Sequence, residues 1–442
     1  MDFVRLGPAY SNNYQPDADL IENFNSLIWH ERYQAPGEFQ ITSFDVRGLA
    51  ALLPEDTLVS HLETQEVMMV ETHDIAMVGE GDDARPEITI KGRSAAIILE
   101  HRWVEANYGK KRRMRRGYSA TSAASVLLVN AVDNASGKDI TRGDADPETA
   151  AEGNDYPWTT LDVIPNVAVT ESVASEGAIR KWVLEEGMLL PQLMKILIDA
   201  DLGLRVMRPV PGNAANVVTV ATALATRGTI TRTYNPNIAQ ALRFDVYSGV
   251  DKSSRIQFST LQGHLDEATY LNSNKEHKTV VEIRSEVGGS DVYRPGESGL
   301  TGWRRKTMDF DGGSPQLPTE PEKPDELKKN ATQAQREARA DAMDKWIIDH
   351  AKWKNKRDRI IADFKEENAL NALRELKSRR KVSMFSGAIS PLSPHQYKTD
   401  YNLGDSVMLY GDYGRSAKMV VSEYVRTQDT NGESGFPGLT AP

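Results

Sequence analysis

Between Pro315 and Lys381 the chain changes character twice, and no other stretch limits its architecture so tightly. Pro315, Pro318, Pro321 and Pro324 recur in Ser-Pro-Gln-Leu-Pro-Thr-Glu-Pro-Glu-Lys-Pro. Such a segment can neither enter a helix nor supply a full ladder of backbone donors, so it reads as an extended, semi-rigid spacer. From Asp325 to Lys381 there is then neither proline nor glycine, and Ala, Glu, Lys and Arg dominate. That composition predicts a long helix. Asp325 and Glu326 stand at its start and Arg379-Arg380-Lys381 at its end, as the helix dipole favours. Met343, Trp346, His350, Trp353, Arg357, Ile360 and Phe364 form a nearly heptad seam. One continuous rod of about 55 residues would reach roughly 80 Å; a folded-back helical hairpin is the alternative. Trp346 and Trp353 are large apolar groups on a charged element, and leaving them bare is costly. Their cover is the chain's own body, a second copy or another protein, which makes them candidate contact residues.

The rest of the chain bounds what can surround this element. At 442 residues it is too long for one ordinary core, so two to four domains are expected. Apolar content of 39% and charged content of 26% fit a folded, soluble chain. With no cysteine, disulfides, thiolate catalysis and Cys-based zinc sites are excluded. The net charge of −10 disfavours whole-chain affinity for nucleic-acid phosphate. Met1-Asp-Phe-Val-Arg-Leu-Gly-Pro lacks the basic and apolar regions of a secretory signal, and no apolar run is long enough to predict a membrane span.

Strand signals dominate elsewhere. Residues 24–110 contain the apolar run Phe24–Trp29, an alternating strand from Glu38, the pair Val67–Val70 and Ile75–Val78, a polar loop at Gly79–Pro86 and a second alternating strand at Glu87–Gly92. Ser94–Trp103 reads as helical. Residues 119–210 are mixed, with helices at Ala120–Ala131 and within Ile179–Asp199, where Pro191 starts or breaks the helix. Strands return at Ala241–Val246, Arg255–Ser259 and Lys278–Arg284, and again at Val382–Phe385, Ser406–Tyr410 and Ala417–Tyr424. The Gly/Pro-rich tail Gly432–Pro442 is expected to be flexible. The expected class is therefore α+β and β-dominated. The parts are a first β domain (1–110), a mixed α/β domain (111–210), a second β domain (211–314 with 382–442), and the spacer and long charged helix (315–381) as an insertion.

Chemistry is hard to find. His-Glu-x-x-His, Gly-x-Ser-x-Gly, Walker and Gly-x-Gly-x-x-Gly patterns are absent, so no catalytic or cofactor-binding residue is assigned. His264-Leu-Asp-Glu267 reads as a polar helix start rather than an acid/base set. Asp144-Ala-Asp146 and Asp309-Phe-Asp311-Gly-Gly do not continue into a twelve-residue calcium loop, so no metal is assigned. Lys110-Lys-Arg-Arg-Met-Arg-Arg116 is the dense basic run; with the chain acidic overall, Arg112 and Arg113 are read as protein contacts rather than DNA contacts.

Five segments carry a resemblance. Phe24-Asn-Ser-Leu-Ile-Trp-His-Glu-Arg-Tyr-Gln-Ala-Pro-Gly-Glu-Phe-Gln-Ile41 resembles an opening hairpin, and Ile88-Thr-Ile-Lys-Gly-Arg-Ser-Ala-Ala-Ile-Ile-Leu-Glu-His-Arg102 a strand-to-helix segment. Phe244-Asp-Val-Tyr-Ser-Gly-Val-Asp-Lys252 and Phe258-Ser-Thr-Leu-Gln-Gly-His-Leu265 resemble central strands, and Asp400-Tyr-Asn-Leu-Gly-Asp-Ser-Val407 a C-terminal signature. In this order they resemble the tail-hub, or baseplate-hub, minor tail proteins of siphophages of the actinobacteriophage type. The resemblance implies a virion protein at the tail tip, made in the host cytoplasm. It implies a homotrimer with two tube-like β-barrel or sandwich domains per chain and no reaction. Implied partners are the tail tube or distal tail protein, the tape-measure protein and tip or fibre proteins, around passing DNA that is not bound specifically. The charged helix departs from that pattern. Two other functions stay open: a cell-wall hydrolase built on paired carboxylates, and a glycan-binding module using Trp158 or Trp303.

Overall fold

The computed structural model describes residues 3–8, 21–104, 112–113, 119–132, 167–171, 182–184, 187–208, 220–222, 230–232, 242–259, 261–287, 289–293, 301–326, 332–379, 382–390, 393–411, 415–430 and 432–441. They divide into a first unit, Met1–Leu271 with Ser383–Pro442, and a second, Asn272–Val382.

The first unit is organised by one twelve-stranded sheet. Its N-terminal strands are β1 (Phe3–Pro8), β2 (Ser26–Arg32), β3 (Glu38–Ser43), β4 (Thr57–His61), β5 (Val67–Val78) and β6 (Arg85–Ser94), paired in the order β1-β4-β5-β6-β3-β2. Alternation turns Leu27 and Trp29 of β2 and Phe39 and Ile41 of β3 inward. The Phe3 ring meets Trp29 edge-on at 5.1 Å, and Trp29 meets Phe39 at 5.9 Å. Helix α1 (Val46–Leu52), capped by Asp45, closes this core with Leu49. The expected helix at Ser94–Trp103 is instead the end of β6, a 3-10 segment at Ala95–His101 and a short strand at Trp103–Val104. Ladder pairing continues through Ser94 to Met68, and the Ser94 hydroxyl then accepts from Ala96 N, which starts the tight turn.

Helices α2 (Ala120–Val132) and α3 (Leu189–Asp199) pack through Leu127, Leu128, Leu193 and Leu197. They cover a three-stranded sheet of β7 (Val167–Glu171), β8 (Leu202–Met207) and β9 (Leu242–Ser248), in which β9 is central. Pro191 lies in the first turn of α3, where its missing N–H costs nothing.

The second unit carries its own core. Strand β10 (Val280–Ser285) pairs with Gly289–Tyr293 on one side and, in parallel, with β11 (Thr307–Gly313) on the other. The long helix α4 is one rod, Gln333–Ser378, of 46 residues. At about 1.5 Å per residue it is about 70 Å long, not a hairpin. It begins later than Asp325, at a capping box in which Thr332 and Gln335 satisfy each other's backbone N–H groups. Its last turns bury Asn368, Ala372 and Leu376, the two apolar groups against Val281, Ile283 and Met308.

The chain then returns to the first unit. Strands β12 (Ser406–Gly411), β13 (Arg415–Asp429) and β14 (Gly432–Thr440) complete the large sheet, because β13 pairs with β2 along Leu27–Arg32. The path continues from β13 through β14 to Val382–Ile389 and Leu265–Ser273. N- and C-terminal segments thus share one sheet. Among the described residues no pairing closes it into a barrel. The tail expected to be flexible is β14, flanked on both sides. Its glycines have a packing reason: a Cβ at Gly435 would stand 2.0 Å from the Tyr424 hydroxyl, and one at Gly438 2.2 Å from Glu423 Cγ. His264–Glu267, expected to start a helix, belongs to a loop and the Leu265–Ser273 strand, with His264 Nδ1 at 3.0 Å from the Gln257 carbonyl.

Candidate functional site

Among the described residues, two places concentrate polar chemistry. The first is sealed inside the first unit, where β2, the β4–β5 turn and the C-terminal signature meet. Leu27, Trp29, Glu31 and Tyr33 alternate along β2 and its extension, and all four are buried. The wholly buried Glu31 accepts a hydrogen bond from Trp29 Nε1 at 3.0 Å and from the Tyr397 hydroxyl at 2.6 Å. Lys398 Nζ stands 3.1 Å from Glu31 and 3.5 Å from Glu66. Burial alone would raise both acids. For Glu31, Lys398, the Tyr397 hydroxyl and Arg426 outweigh it and hold the carboxyl down at about 2. For Glu66, burial and the neighbouring Glu31 charge win over Lys398 and Arg205, and the carboxyl is pushed up to about 7. His61, beside Trp29 at 6.2 Å between ring centres, is held down at about 4 by burial and then by Arg426. Arg426 pairs with Glu63 at 2.6 Å and lies over the Tyr397 and Tyr424 rings, which stack 4.0 Å apart.

The signature turn puts Tyr397 and Lys398 there. Asp400 accepts from Gln396 N at 2.8 Å. Asp405 accepts from Asn402 N at 2.8 Å and Val250 N at 2.7 Å, and pairs with Lys252 at 2.9 Å. Gly404 has φ +86, and a Cβ on it would lie 2.5 Å from the Tyr33 ring. Only glycine fits both demands. Lys398 itself sits at φ +67, a conformation with a cost of order 1 kcal/mol that the surrounding bonds overcome.

The second place is the face of α4 that carries the two tryptophans. The proline segment lies on it. Ser314–Glu326 forms neither helix nor strand, and Pro315, Pro318, Pro321 and Pro324 are half-buried while the residues between them are almost all exposed. Trp353 Nε1 donates to the Pro318 carbonyl at 2.9 Å, Trp346 Nε1 to that of Pro321 at 3.1 Å and Arg339 Nε to that of Asp325 at 2.8 Å. His350 stacks on Trp346 at 4.7 Å, lies 5.1 Å from Trp353 and meets Glu320 at 3.2 Å. The spacing has a simple origin. Seven helical residues advance about 10.5 Å, and three or four residues of polyproline-like chain about 9.3 or 12.4 Å, so donors seven apart at Arg339, Trp346 and Trp353 match carbonyls three and four apart at Pro318, Pro321 and Asp325.

Of the residues singled out from sequence, Trp346 and Trp353 come together and their faces meet the chain's own spacer. Arg112 and Arg113, in the other unit, form a two-residue strand against Val183–Leu184; the remainder of the basic run lies outside the described residues. So do Asp144, Asp146 and Trp158. Asp309 pairs with Arg284, Asp311 accepts from Gly313 N, and among the described residues no group of three His, Asp or Glu is placed to hold a metal. No described helix is long and apolar enough to cross a membrane. The sequence reading missed Glu31, Glu66 and Lys398 as a set. The signal for Glu31 was the alternation of β2, which puts it on the face of Trp29.

A family model for siphovirus ReqiPepy6 Gp37-like proteins matches residues 12–436. The chain belongs to that family. As a Gp37-like protein it is a siphovirus tail protein with a structural role in the virion tail. Its fold is similar to that of the 43 kDa tail protein of prophage MuSo2 from Shewanella oneidensis, at a TM-score of 0.50 and 10% identity over 100% of this chain and 99% of that one. A tail protein from Neisseria meningitidis MC58 gives 0.46 and 11% identity over 99% and 96% of the two chains. Prophage tail protein gp18 from Listeria monocytogenes EGD-e gives 0.46 and 10% over 100% and 95%. A search of curated proteins found no match.

Proposed function

We propose that this Gp37-like chain is the hub of a siphophage-like tail: a homotrimer that joins the tail tube to tip and fibre proteins, touches the tape-measure protein and surrounds the DNA exit channel. The observation that carries the reading is the continuous sheet through both ends of the chain, in a tail family matched over residues 12–436. A wall built from several copies needs a stiff, extended β surface, and β2–β13 pairing supplies one from segments nearly 400 residues apart in sequence. The two tube-like domains of this reading share strands across that pairing, and the module after Leu271 is an insertion available to a neighbouring tip protein. Three copies carry 3 × −10 = −30 formal charges. Any part of that charge on the lumen keeps DNA sliding rather than sticking. The chain performs no reaction in this reading, and the Glu31 and Glu66 carboxylates, 0% and 8% exposed, are closed to a polymer substrate.

Mass photometry of the purified protein and immunogold labelling of intact virions test the proposal. Trimers in solution and label at the distal tail end are expected. A strictly monomeric protein that never joins tail tubes overturns it.

A further inference from the structure

One end of the second unit, built partly from the stretches by which the chain enters and leaves it, is cationic, and the tail role does not use it. Trp303 occupies a 3-10 turn, Gly302–Arg304, closed by Arg305 N donating to the Gly302 carbonyl at 3.0 Å. Its side chain is fully exposed, at 101%. Arg304 and Arg305 beside it are exposed as well. The turn is not adrift. Lys306 N donates to the Thr279 hydroxyl at 2.9 Å and Thr279 N to the Lys306 carbonyl at 2.8 Å, with Thr279 buried. Lys306 Nζ reaches back to the Asn274 carbonyl at 3.2 Å, and Lys278 N donates to the carbonyl of Arg379 at the end of α4. Three separate stretches therefore bring Lys275, Lys278, Arg304, Arg305, Lys306 and Arg379 to one end of the unit. Against these six cations stand Glu276 and Glu375, the latter already paired with Arg379 at 2.9 Å. The chain as a whole carries −10, so this end opposes the global charge.

We propose that this cationic end binds single-stranded nucleic acid, with Trp303 as the platform on which a base stacks and Arg304, Arg305 and the flanking lysines on the phosphates. A flat aromatic ring with both faces open, set among cations on a rigid turn, is the arrangement that holds unpaired bases without reading their sequence. A membrane surface is the competing polyanion. It is disfavoured because the exposed large apolar side chains near this end, Trp303 and Leu271, are set among cations and polar residues, and interfacial insertion needs a contiguous apolar face. Duplex DNA offers phosphates but no open base, so it engages the cations and leaves the ring unused.

Fluorescence anisotropy of the full-length protein with a labelled thymidine oligonucleotide at low salt tests this. Binding is expected to weaken as salt rises, in proportion to the phosphates engaged. Trp303→Ala is expected to weaken single-strand binding roughly 5- to 100-fold, the range of one lost stacked base, with little effect on the duplex. Arg304→Glu with Arg305→Glu is expected to abolish both. All three side chains are exposed, so circular dichroism melts of the variants should match the parent. No oligonucleotide binding at low salt, or binding indifferent to these substitutions, overturns the proposal. So does binding to phosphatidylserine vesicles in the absence of oligonucleotide binding, which assigns this end to a membrane surface instead.

Discussion

Glu66 gives the sharpest test of the sealed junction. Its carboxyl is pushed from 4.5 up to about 7 by burial and the Glu31 charge, against Lys398 and Arg205. An acid whose pKa is raised on folding holds its proton in the native state over a range where the unfolded chain has lost it. Stability therefore falls as pH rises through that range, by about 1.4 kcal/mol per pH unit. From pH 4.5 to about 7 this amounts to roughly 3 kcal/mol, with the full penalty above 7 and none below 4.5. Glu66→Gln keeps the shape and removes the charge. It should leave stability at pH 4.5 unchanged and raise it at pH 8, by roughly 5 °C in melting temperature. The comparison must be between variant and parent because His61 moves the opposite way. Held down from 6.5 to about 4, it contributes stability above 6.5 that is lost as pH falls toward 4. Glu31, held down at about 2, acts below this window. Scanning fluorimetry of both proteins from pH 4.5 to 8 is the assay. Parallel profiles, or a variant equally destabilised at every pH, would refute the reasoning, the second by showing that ionised Glu66 is a required partner of Lys398.

Three further substitutions probe other joints. Lys398→Met strips the cation from two buried carboxylates and should cost about 3–5 kcal/mol in urea unfolding, partly restored by adding Glu31→Gln in a double-mutant cycle. Gly404→Ala drives a methyl into the Tyr33 ring at φ +86 and should cost about 1–3 kcal/mol; an unchanged urea midpoint would show that the turn can shift. Trp346→Ala with Trp353→Ala removes two of the three side-chain donors to backbone carbonyls of the proline segment and leaves Arg339, and hydrogen exchange should accelerate over 333–360 while 368–376, anchored on β10 and β11, stays protected.

Local chemistry was legible and long-range chemistry was not. Composition and the missing proline gave α4 as a helix, because its first two-thirds have few packing partners and propensity decides there. Its start was placed too early because Asp325 and Glu326 looked like first-turn acids, while the Thr332–Gln335 capping box, a reading of four residues, was passed over. The β14 strand was missed because Gly435, Pro437 and Gly438 argue locally for a loop. What makes them a strand is Tyr424 and Glu423 on β13, which need the space those glycines leave. Lys398 and Glu31 are 367 residues apart, and no periodicity links them. The cover for Trp346 and Trp353 lay within reach, since the proline period and the tryptophan heptad are both visible in sequence. Seeing the match requires converting both to ångströms.

Sheet topology also fixes where the chain enters and leaves the second unit. Leu265–Ser273 leads into the second unit and Val382–Ile389 leads out of it, and these two strands are hydrogen-bonded neighbours in the large sheet. Neighbouring strands lie about 4.8 Å apart, so the chain leaves the large sheet and rejoins it on adjacent strands. That distinguishes two deletions that look alike in sequence. Removing 316–380 cuts Ala372 and Leu376 away from Val281, Ile283 and Met308 and bares an apolar sheet face, so the product should aggregate on size-exclusion chromatography. Replacing 274–381 with a short Gly/Ser linker removes that face together with its cover, and the remaining unit should elute as a folded species with the parent's near-ultraviolet circular dichroism. Failure of the linker variant, with the 316–380 deletion well behaved, would show that the first unit does not fold without residues 274–315.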